Sequence, residues 1–134
     1  MPLYGDGANV RDWIFVEDHC AALDCLLSDG GAGEIYNIGA DNEWTNRDLT
    51  AEILRRLGKP LSLIHRVADR PAHDRRYALD STKLRRETGW APVHAFSAAI
   101  DRTVAWYRAN EPWWRAVKSG EYRRFYDLWY GERR

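Results

Sequence analysis

Short β-type runs alternate with longer helical segments along this chain, and this alternation constrains the fold more than any other feature of the sequence. An extended piece at Pro2–Tyr4 leads into a Gly-Asp-Gly turn, and a β-rich run follows at Val10–Phe15. From Val16 the apolar residues recur at helical spacing, and the clustered glycines of DGGAG end that helix. The pattern predicts an α/β domain with a small mixed sheet and helices.

The middle of the chain continues the alternation. EIYNIG predicts a strand at 34–39, and LSLIHRV predicts another at 61–67. Between them, TNRDLTAEILRRLGKP predicts a helix with Thr45 as its N-cap, Asp48 three residues later and Gly58 beyond its end. A helix between two strands is the arrangement typical of an α/β fold.

Two further helices are predicted toward the end of the chain. STKLRRETGW predicts a brief helix that ends at Gly89, and SAAIDRTVAWYRAN predicts a longer helix capped by Ser97. The length suits one domain, 1–134, in which 111–134 is an aromatic-rich tail without a clean period. We favour packing of this tail against the core of the domain, and the alternative is an exposed apolar patch used for interaction.

Composition excludes several functional classes. The 20 basic and 20 acidic side chains cancel, so no broad surface for nucleic acid or anionic membrane is expected. No apolar run approaches the ~20 residues that cross a bilayer, and no signal peptide is visible. Cys20 and Cys25 fall on different faces of one predicted helix, so we expect buried free thiols and a reducing cytoplasm.

Motifs that would mark a complete enzyme are lacking in the sequence. The glycines do not form G-x-G-x-x-G or G-x-x-x-x-G-K-[ST], and no G-x-S-x-G elbow occurs. The four histidines are widely spread and have no partners at metal-ligand spacing, so no metal site is predicted. No catalytic residue is therefore assigned.

Binding chemistry concentrates in two places. The loop DRPAHDRRYA, residues 69–78, contains three arginines, and Arg11 begins a strand beside Asp12. The planar fork of arginine suits phosphate oxygens, and an adjacent carboxylate can hold that fork in position. Two interpretations of the loop stay open. It faces an anionic ligand, or its charges pair with one another in solvent at ~0–1 kcal/mol per pair.

Four segments, in order along nearly the whole chain, carry a family resemblance: PLYGDGANVRDWIFVEDHCAAL, GEIYNIGADNEWTN, DRPAHDRRYALDSTKLRRETGW and TVAWYRANEPWW. Together they resemble the C-terminal, substrate-binding part of the dTDP-glucose 4,6-dehydratase family, within the extended short-chain dehydrogenase/reductase superfamily. The first segment contains a pattern that recurs across nucleotide-sugar epimerases and dehydratases. The charged loop, placed after N-I-G and E-W-T-N, is more specific and indicates the dTDP-sugar dehydratases.

The resemblance implies a reaction for the complete family enzyme. That enzyme converts dTDP-glucose to dTDP-4-dehydro-6-deoxyglucose and water with bound NAD, in the biosynthesis of rhamnose and other deoxysugars. An N-terminal Rossmann half holds the NAD and the catalytic groups, including the tyrosine and lysine of Y-x-x-x-K. No tyrosine here is followed four residues later by lysine. The resemblance therefore implies a dTDP-binding lobe that needs the Rossmann half, in cis or in trans, and is inactive and free of NAD by itself.

Substrate contacts follow from the resemblance residue by residue. Arg11 resembles an arginine that faces the diphosphate, and Asn46 resembles a polar ligand at a helix start. The other assigned positions are a segment against the base, a loop that closes over the nucleotide and a late tyrosine: Pro2, Leu3, Tyr4, Asp69, Arg70, Pro71, Ala72, His73 and Tyr130.

One position departs from the family pattern. The family loop reads D-R-P-G-H-D, and Ala72 stands here in place of the glycine. If this position needs a positive φ, alanine strains the loop by roughly 1 kcal/mol or more.

Three hypotheses follow for the role of the chain. It is part of a dTDP-sugar dehydratase, a stand-alone module that binds a nucleotide sugar without turnover, or an interaction domain that uses its aromatic tail. Because separating the two halves of the family enzyme would expose surface that is normally covered, we expect the isolated chain to be marginally stable or prone to aggregate.

Overall fold

The structure is a computed structural model that describes residues 1–69, 71–120 and 123. The chain divides into two compact units, residues 1–100 and 101–134. The first unit contains all the strands of the described residues. The expectation of one domain over 1–134 stays a prediction.

Four short strands form two sheets of two strands each, so the fold is the mixed α/β arrangement that the sequence predicts. The first and last strands pair in parallel, with Pro2 opposite His65. The two middle strands pair antiparallel, with Val10 opposite Thr45 and Arg11 opposite Trp44. The strands are β1 Pro2–Tyr4, β2 Val10–Asp12, β3 Glu43–Thr45 and β4 His65–Val67.

Five α-helices lie within the described residues, and local signals explain where they begin and end. The Thr45 hydroxyl accepts the Asp48 amide at 3.0 Å, which confirms Thr45 as an N-cap. Gly89 ends its helix at φ 72°, a left-handed conformation that glycine adopts readily. In this part of the chain no helix is long and apolar enough to cross a bilayer. The helices are α1 Val16–Asp29, α2 Asn46–Arg56, α3 Thr82–Thr88, α4 Phe96–Ala109 and α5 Glu111–Ser119.

Three of the predicted strands are shorter than expected or are not formed. The run from Val10 forms a strand only as far as Asp12, after which a single further hydrogen bond joins the Trp13 amide to the Asn42 carbonyl at 3.0 Å. Leu61–Leu63 forms a 3₁₀ turn, and pairing begins at His65. The strand predicted at 34–39 is not assigned, because no ladder partner lies beside it among the described residues.

Two helix predictions also need correction. Ser97 is not an N-cap, because α4 begins at Phe96. The Ser97 carbonyl and hydroxyl instead accept from Arg56 at 3.2 and 3.0 Å. The start of the predicted tail forms α5, which was not foreseen although Glu111 in the first turn, an early proline and Gly120 at φ 80° are helix signals.

The core of the first unit is built where α1 meets α3. Ala22 and Leu84 are fully buried and pack with Trp90, and Ile14 and Leu26 lie against them. Burial of a leucine side chain stabilises a fold by about 2 kcal/mol, so this cluster fixes the two helices together. The two cysteines are free, but Cys20 is exposed and Cys25 half-buried, so the expectation that both thiols are buried was wrong.

A buried carboxylate joins the start of α1 to the segment before α4. Asp18 is only 3% exposed and accepts the amides of Val93 and His94 at 3.2 Å each. The His94 Nδ1 lies 2.8 Å from the same carboxylate. Burial would raise the pKa of Asp18, but these hydrogen bonds outweigh it and lower the pKa below 3.8. Asp18 therefore acts as an anchor between elements, beyond the helix-start role that the sequence suggested.

The second unit shows aromatic side chains at its surface. The rings of Trp106 and Trp113 meet edge to face at 5.1 Å, and Trp114 Nε1 donates to the Tyr107 carbonyl at 2.9 Å. Trp113 is 56% exposed. The packing of the tail against the core that we favoured stays a prediction. The aromatic positions 125, 126, 129 and 130 lie outside the described residues.

Candidate functional site

The second half of the charged loop is attached to β2 by main-chain hydrogen bonds. The Val10 amide donates to the Arg75 carbonyl at 2.9 Å, and the Tyr77 amide donates to the Val10 carbonyl at 3.0 Å. Asn9, only 3% exposed, donates through Nδ2 to the Asp74 carbonyl at 3.1 Å. The loop therefore lies beside the strand that carries Arg11.

The Arg11 side chain is held by this loop. Its Nη2 donates to the Asp74 carbonyl at 3.0 Å, and its Nη1 donates to the Val10 carbonyl at 2.6 Å. Its Cζ lies 4.4 Å from the centroid of the Tyr77 ring, and the Tyr77 hydroxyl bonds to the Asp74 carboxylate. Because two of five guanidinium N–H groups are used in this way, the fork is oriented and still has donors for an anion.

Asp12 does not orient Arg11, contrary to the hypothesis drawn from the sequence. Its two carboxylate oxygens accept the amides of Ala40 and Asn42 at 2.9 Å each. A Cβ on Gly39 would lie 2.5 Å from Asp12 Oδ2, so only glycine fits beside the carboxylate. Asp12 therefore fixes the 39–42 segment, and the partners of Arg11 come from the loop.

Tyr4, Asp69 and His73 lie together at the other end of the loop. His73 Nδ1 is 2.6 Å from Asp69 Oδ1, and the His73 side chain is only 6% exposed. The Tyr4 ring meets the His73 ring edge to face at 6.2 Å. Gly5 has a φ of +55°, and a Cβ there would lie 2.9 Å from Asp69 Oδ2, so the glycine allows this close approach.

Ala72 adopts the strained conformation that its place in the family pattern suggested. Its φ is +54°, and among the described residues only Asp41 shares a positive φ without being glycine. A left-handed conformation costs an L-residue with a Cβ roughly 1–2 kcal/mol. The loop is therefore formed at the expense of backbone strain beside Pro71.

The remaining predicted site residues lie in different surroundings. Leu3 is 6% exposed and belongs to the core, so only its backbone is open to a ligand, whereas Pro2 is exposed in β1. The main-chain amide of Asn46 donates to the main-chain carbonyl of Asn9 at 2.9 Å, which places α2 beside the start of β2. Arg70 and Tyr130 lie outside the described residues.

The two later arginines of the loop are engaged in ion pairs. Arg75 lies 3.2 Å from Asp6, and Arg76 binds both oxygens of Glu43 at 2.6 and 2.7 Å. Hydrogen bonding by Arg76 lowers the pKa of Glu43, and the pKa of Asp6 is lowered first by the bond from the Ala8 amide. Both arginines thus pair with carboxylates outside the loop, and not with other charges of the loop. Among the arginines of this surface that the structure describes, Arg11 is the one oriented without an ion pair.

Sequence reasoning missed the residues that hold Arg11. Asp74 contacts Arg11 through its main-chain carbonyl and Tyr77 through its ring face, and Asn9 donates through its side chain to the same Asp74 carbonyl. None of these contacts has a spacing rule that could reveal it. The sequence showed only that Asp74 and Tyr77 belong to the charged loop.

Neither a standard dinucleotide motif in the sequence nor a cluster of metal ligands among the described residues marks a cofactor site. The sequence offers no G-x-G-x-x-G cradle for a pyrophosphate. Within the described ranges, no three histidine, cysteine, aspartate or glutamate side chains could hold a metal ion together. The arrangement offers an anionic ligand the remaining donors of the oriented Arg11, whereas the first three amides of α2 already donate to other groups of the chain.

Comparison with known proteins finds relatives that are described as nucleotide-sugar 4,6-dehydratases. Residues 1–103 match the family model described as GDP-mannose 4,6 dehydratase. The dTDP-glucose 4,6-dehydratase of Streptomyces antibioticus is 48% identical over 118 residues, covering 88% of this chain and 35% of that protein. The Salmonella typhimurium dTDP-glucose 4,6-dehydratase is 47% identical over 129 residues, covering 91% and 36% respectively.

Solved structures show the same relationship. The dTDP-glucose 4,6-dehydratase DesIV of Streptomyces venezuelae, with NAD and TYD bound, superposes with a TM-score of 0.81 at 50% identity, over 84% of this chain and 35% of that one. The UDP-glucose 4-epimerase of Thermotoga maritima, with UDP-glucose, gives 0.75 at 27% identity, over 81% and 35%.

The matches cover most of this chain but only part of each relative. This chain spans about a third of the length of the curated relatives that it matches, 35% in the first of them. The match to the family model, in contrast, covers most of the chain. The chain therefore belongs to the GDP-mannose 4,6 dehydratase family and resembles part of its dTDP-glucose 4,6-dehydratases.

Proposed function

We propose that this chain is the substrate-binding part of an NAD-dependent dTDP-glucose 4,6-dehydratase and that it binds the dTDP moiety. The observation that carries the proposal is the orientation of Arg11 by Asp74 and Tyr77, at a surface where a matching arginine would face a diphosphate. A preset bidentate donor lowers the entropy lost on binding a phosphate. Sequence identities near 50% to dTDP-glucose 4,6-dehydratases support dTDP as the nucleotide.

The proposed ligand contacts fall into three groups. The backbone of β1 lies against the base, Arg11 faces the diphosphate with Asn46 as a further polar ligand of the substrate, and the charged loop closes over the nucleotide. The loop and tail residues in this proposal are Asp69, Arg70, Pro71, Ala72, His73 and Tyr130. In this scheme the Asp69–His73 pair stabilises the closed loop, because its short hydrogen bond links the two ends of the turn at Pro71.

Catalysis would then require a second protein domain. We propose that a Rossmann half, in cis or in trans, supplies the NAD and the catalytic tyrosine and lysine, so that this chain alone is inactive. Its contribution is to grip the unreacting nucleotide and thereby position the sugar. We also place the protein in the cytoplasm, because free Cys20 and Cys25 fit a reducing compartment.

Calorimetric titration of the purified chain with dTDP-glucose, and with UDP-glucose for comparison, tests the proposal. We expect saturable binding that is tighter for the thymidine nucleotide. Arg11→Ala should weaken it about 10- to 100-fold, since a hydrogen bond to a charged group contributes about 1.5–3 kcal/mol. Arg11→Lys should recover only part of the affinity, because lysine lacks the planar fork.

Arg86→Ala is the matched control, since Arg86 is an exposed arginine that pairs with neighbouring Glu87 and lies outside the proposed site. It should bind as the unaltered chain does. The proposal would be contradicted if the folded chain, verified by circular dichroism, bound neither nucleotide, or if Arg86→Ala weakened binding as much as Arg11→Ala.

A further inference from the structure

The imidazole of His73 is enclosed within a loop that is otherwise exposed. Its side chain is only 6% exposed, whereas Asp69 and Ala72 lie at the surface. Nδ1 lies 2.6 Å from Asp69 Oδ1, and the Tyr4 ring packs against the imidazole edge to face. In the part of the chain that the structure describes, no group hydrogen-bonds to His73 Nε2. Because an enclosed polar atom costs free energy when it lacks a partner, Nε2 is a candidate contact for a ligand.

The contact with Asp69 fixes which ring nitrogen of His73 carries a hydrogen. An ionised carboxylate only accepts hydrogen bonds, so Nδ1 is the nitrogen that donates to it. In the neutral ring Nε2 then presents a lone pair, which repels the oxygen of a phosphate. In the imidazolium Nε2 carries a hydrogen as well, and this N–H donates to an anion in a charge-assisted bond. An anionic ligand at Nε2 therefore requires the protonated ring.

The carboxylate of Asp69 is itself held in place by the turn after β1. Gly5 has a φ of +55°, and a Cβ on it would lie 2.9 Å from Asp69 Oδ2. The Gly5 amide donates to the Val67 carbonyl, at the end of β4, at 3.0 Å. Ala72 keeps its positive φ directly before His73. Backbone strain of this kind persists where the surroundings fix the conformation, and it is common at ligand clamps.

We propose that His73 binds the diphosphate of the nucleotide sugar as an imidazolium, so that binding takes up a proton, and that Asp69 is its positioning residue. One proton from solvent adds to the Nε2 lone pair, Nδ1 keeps its hydrogen in the bond to Asp69, and no covalent bond to the nucleotide forms. The inference rests on the proposed function, because it takes the diphosphate as the anion at this site. It adds a dependence on pH that Arg11 cannot supply, since a guanidinium stays charged.

The charges around the ring favour the imidazolium. Asp69 supplies a negative charge in direct contact with it, and the diphosphate would bring a second. Tyr4, the other described residue against the ring, presents its aromatic edge or face and no charge. Arg70 lies outside the described residues. The other charged groups of the loop make contacts of their own: Asp74 with Tyr77, Arg75 with Asp6 and Arg76 with Glu43.

Calorimetric titration with dTDP-glucose in two buffers of different ionisation enthalpy measures the protons taken up on binding. Each phosphate of this ligand is substituted on two sides, so the ligand has no phosphate ionisation near neutral pH. We expect uptake of a fraction of a proton per nucleotide at about pH 7.5, falling toward zero by about pH 5. His73→Gln keeps a neutral donor that does not titrate, so it should abolish the uptake and weaken binding about tenfold at about pH 6. His19→Gln is the matched control, because His19 lies in α1 outside the charged loop, and it should keep both.

Asp69→Asn separates positioning of the imidazolium from a general structural role. Asparagine keeps the size of the side chain and an oxygen that accepts from Nδ1, but it carries no charge. We expect affinity about tenfold below that of the unaltered chain at about pH 7.5, with the difference shrinking as the pH falls, because the ring then gains its proton without the carboxylate. An equal loss of affinity at every pH would make Asp69 a structural residue only and overturn its positioning role.

The outcomes separate this inference from the proposed function. Saturable binding without proton uptake, or uptake that persists in His73→Gln, would overturn the inference and leave dTDP binding standing. Failure of the folded chain to bind either nucleotide would contradict the proposed function and the inference together. NMR of the ring nitrogens in the ligand-free chain provides a further check, since a neutral His73 with its hydrogen on Nε2 would show that Asp69 does not hold Nδ1–H.

Discussion

The guanidinium of Arg11 lies over the ring of Tyr77, with 4.4 Å between Arg11 Cζ and the ring centroid. The two residues are far apart in sequence, yet the Tyr77 amide also donates to the main chain of β2. The charged loop thus orients an arginine on a neighbouring strand while its own later arginines pair elsewhere. We therefore expect ligand affinity to depend on the ring of Tyr77 as well as on Arg11.

Replacing Tyr77 tests this dependence. Tyr77→Leu removes the ring, and we expect affinity for dTDP-glucose to fall about two- to fivefold, since a partly exposed cation–π contact contributes ~0.5–1 kcal/mol. Tyr77→Phe keeps the ring and loses only the hydroxyl bond to Asp74, so it should bind more tightly than Tyr77→Leu. Calorimetric titration checks both variants, and equal affinities for the two would argue against the ring contact.

Asp12→Ala should reduce stability and leave the orientation of Arg11 unchanged. The variant removes the acceptor of the Ala40 and Asn42 amides, and loss of hydrogen bonds to a charged group costs about 1.5–3 kcal/mol each. Chemical denaturation measures the loss, and titration under conditions where the variant stays folded measures affinity. A large fall in affinity with unchanged stability would restore the hypothesis that Asp12 positions Arg11.

Ala72→Gly should stabilise the loop by about 1 kcal/mol, because glycine accepts a φ of +54° without a Cβ clash. Thermal unfolding measures the change, and affinity for the nucleotide should rise if the loop closes over it. Gly58→Ala is the reciprocal control: its φ is +63° with open space around the added Cβ, so it should destabilise by a similar amount. A destabilised Ala72→Gly variant would show that the left-handed conformation is not adopted in solution.

Asp18 should make the fold sensitive to acid. Its pKa is lower in the folded chain than the ordinary 3.8, chiefly because His94 and two amides bind the carboxylate strongly enough to outweigh burial. A depressed pKa stabilises the fold above the unfolded value, and this stability is lost as the pH falls through the folded value. Asp18→Asn should therefore be less stable at neutral pH and should lose less on acidification below about pH 4.

Unfolding free energies of both proteins from neutral pH downward provide the measurement. Other carboxylates with lowered pKa values, Asp6 and Glu43 among them, titrate in both proteins and cancel in the difference. A constant difference at all pH values would contradict the role given to the Asp18 carboxylate.

Much of the fold could be predicted from local signals. Thr45 at the start of α2 and Gly89 at the end of α3 act through hydrogen bonding and backbone conformation within a few residues, so their effects are visible in sequence. Local signals could not show whether the segment at 34–39 would pair as a strand. Strand formation depends on a distant partner, and its β-type composition says nothing about whether the partner is available.

The site could be predicted only in part, for a similar reason. The residue pattern drew attention to Arg11 and the resemblance suggested its role, and the positive φ of Ala72 agrees with the expectation for a glycine position. The contacts of Arg11 with Asp74 and Tyr77, and those of Asp12 with Ala40 and Asn42, depend on how loops fold back on β2. Adjacency in sequence suggested that Asp12 serves Arg11, but a strand sends neighbouring side chains to opposite faces.

The measurement that tests the central claim most directly is NMR mapping of thymidine diphosphate on the isotopically labelled chain. The account predicts saturable shifts at the Arg11 side chain, at Asn46 and in the loop at 69–73, with little change at Arg86. Shifts confined to other surfaces, or none at concentrations that saturate a relative, would contradict the assignment of this chain as a dTDP-binding lobe.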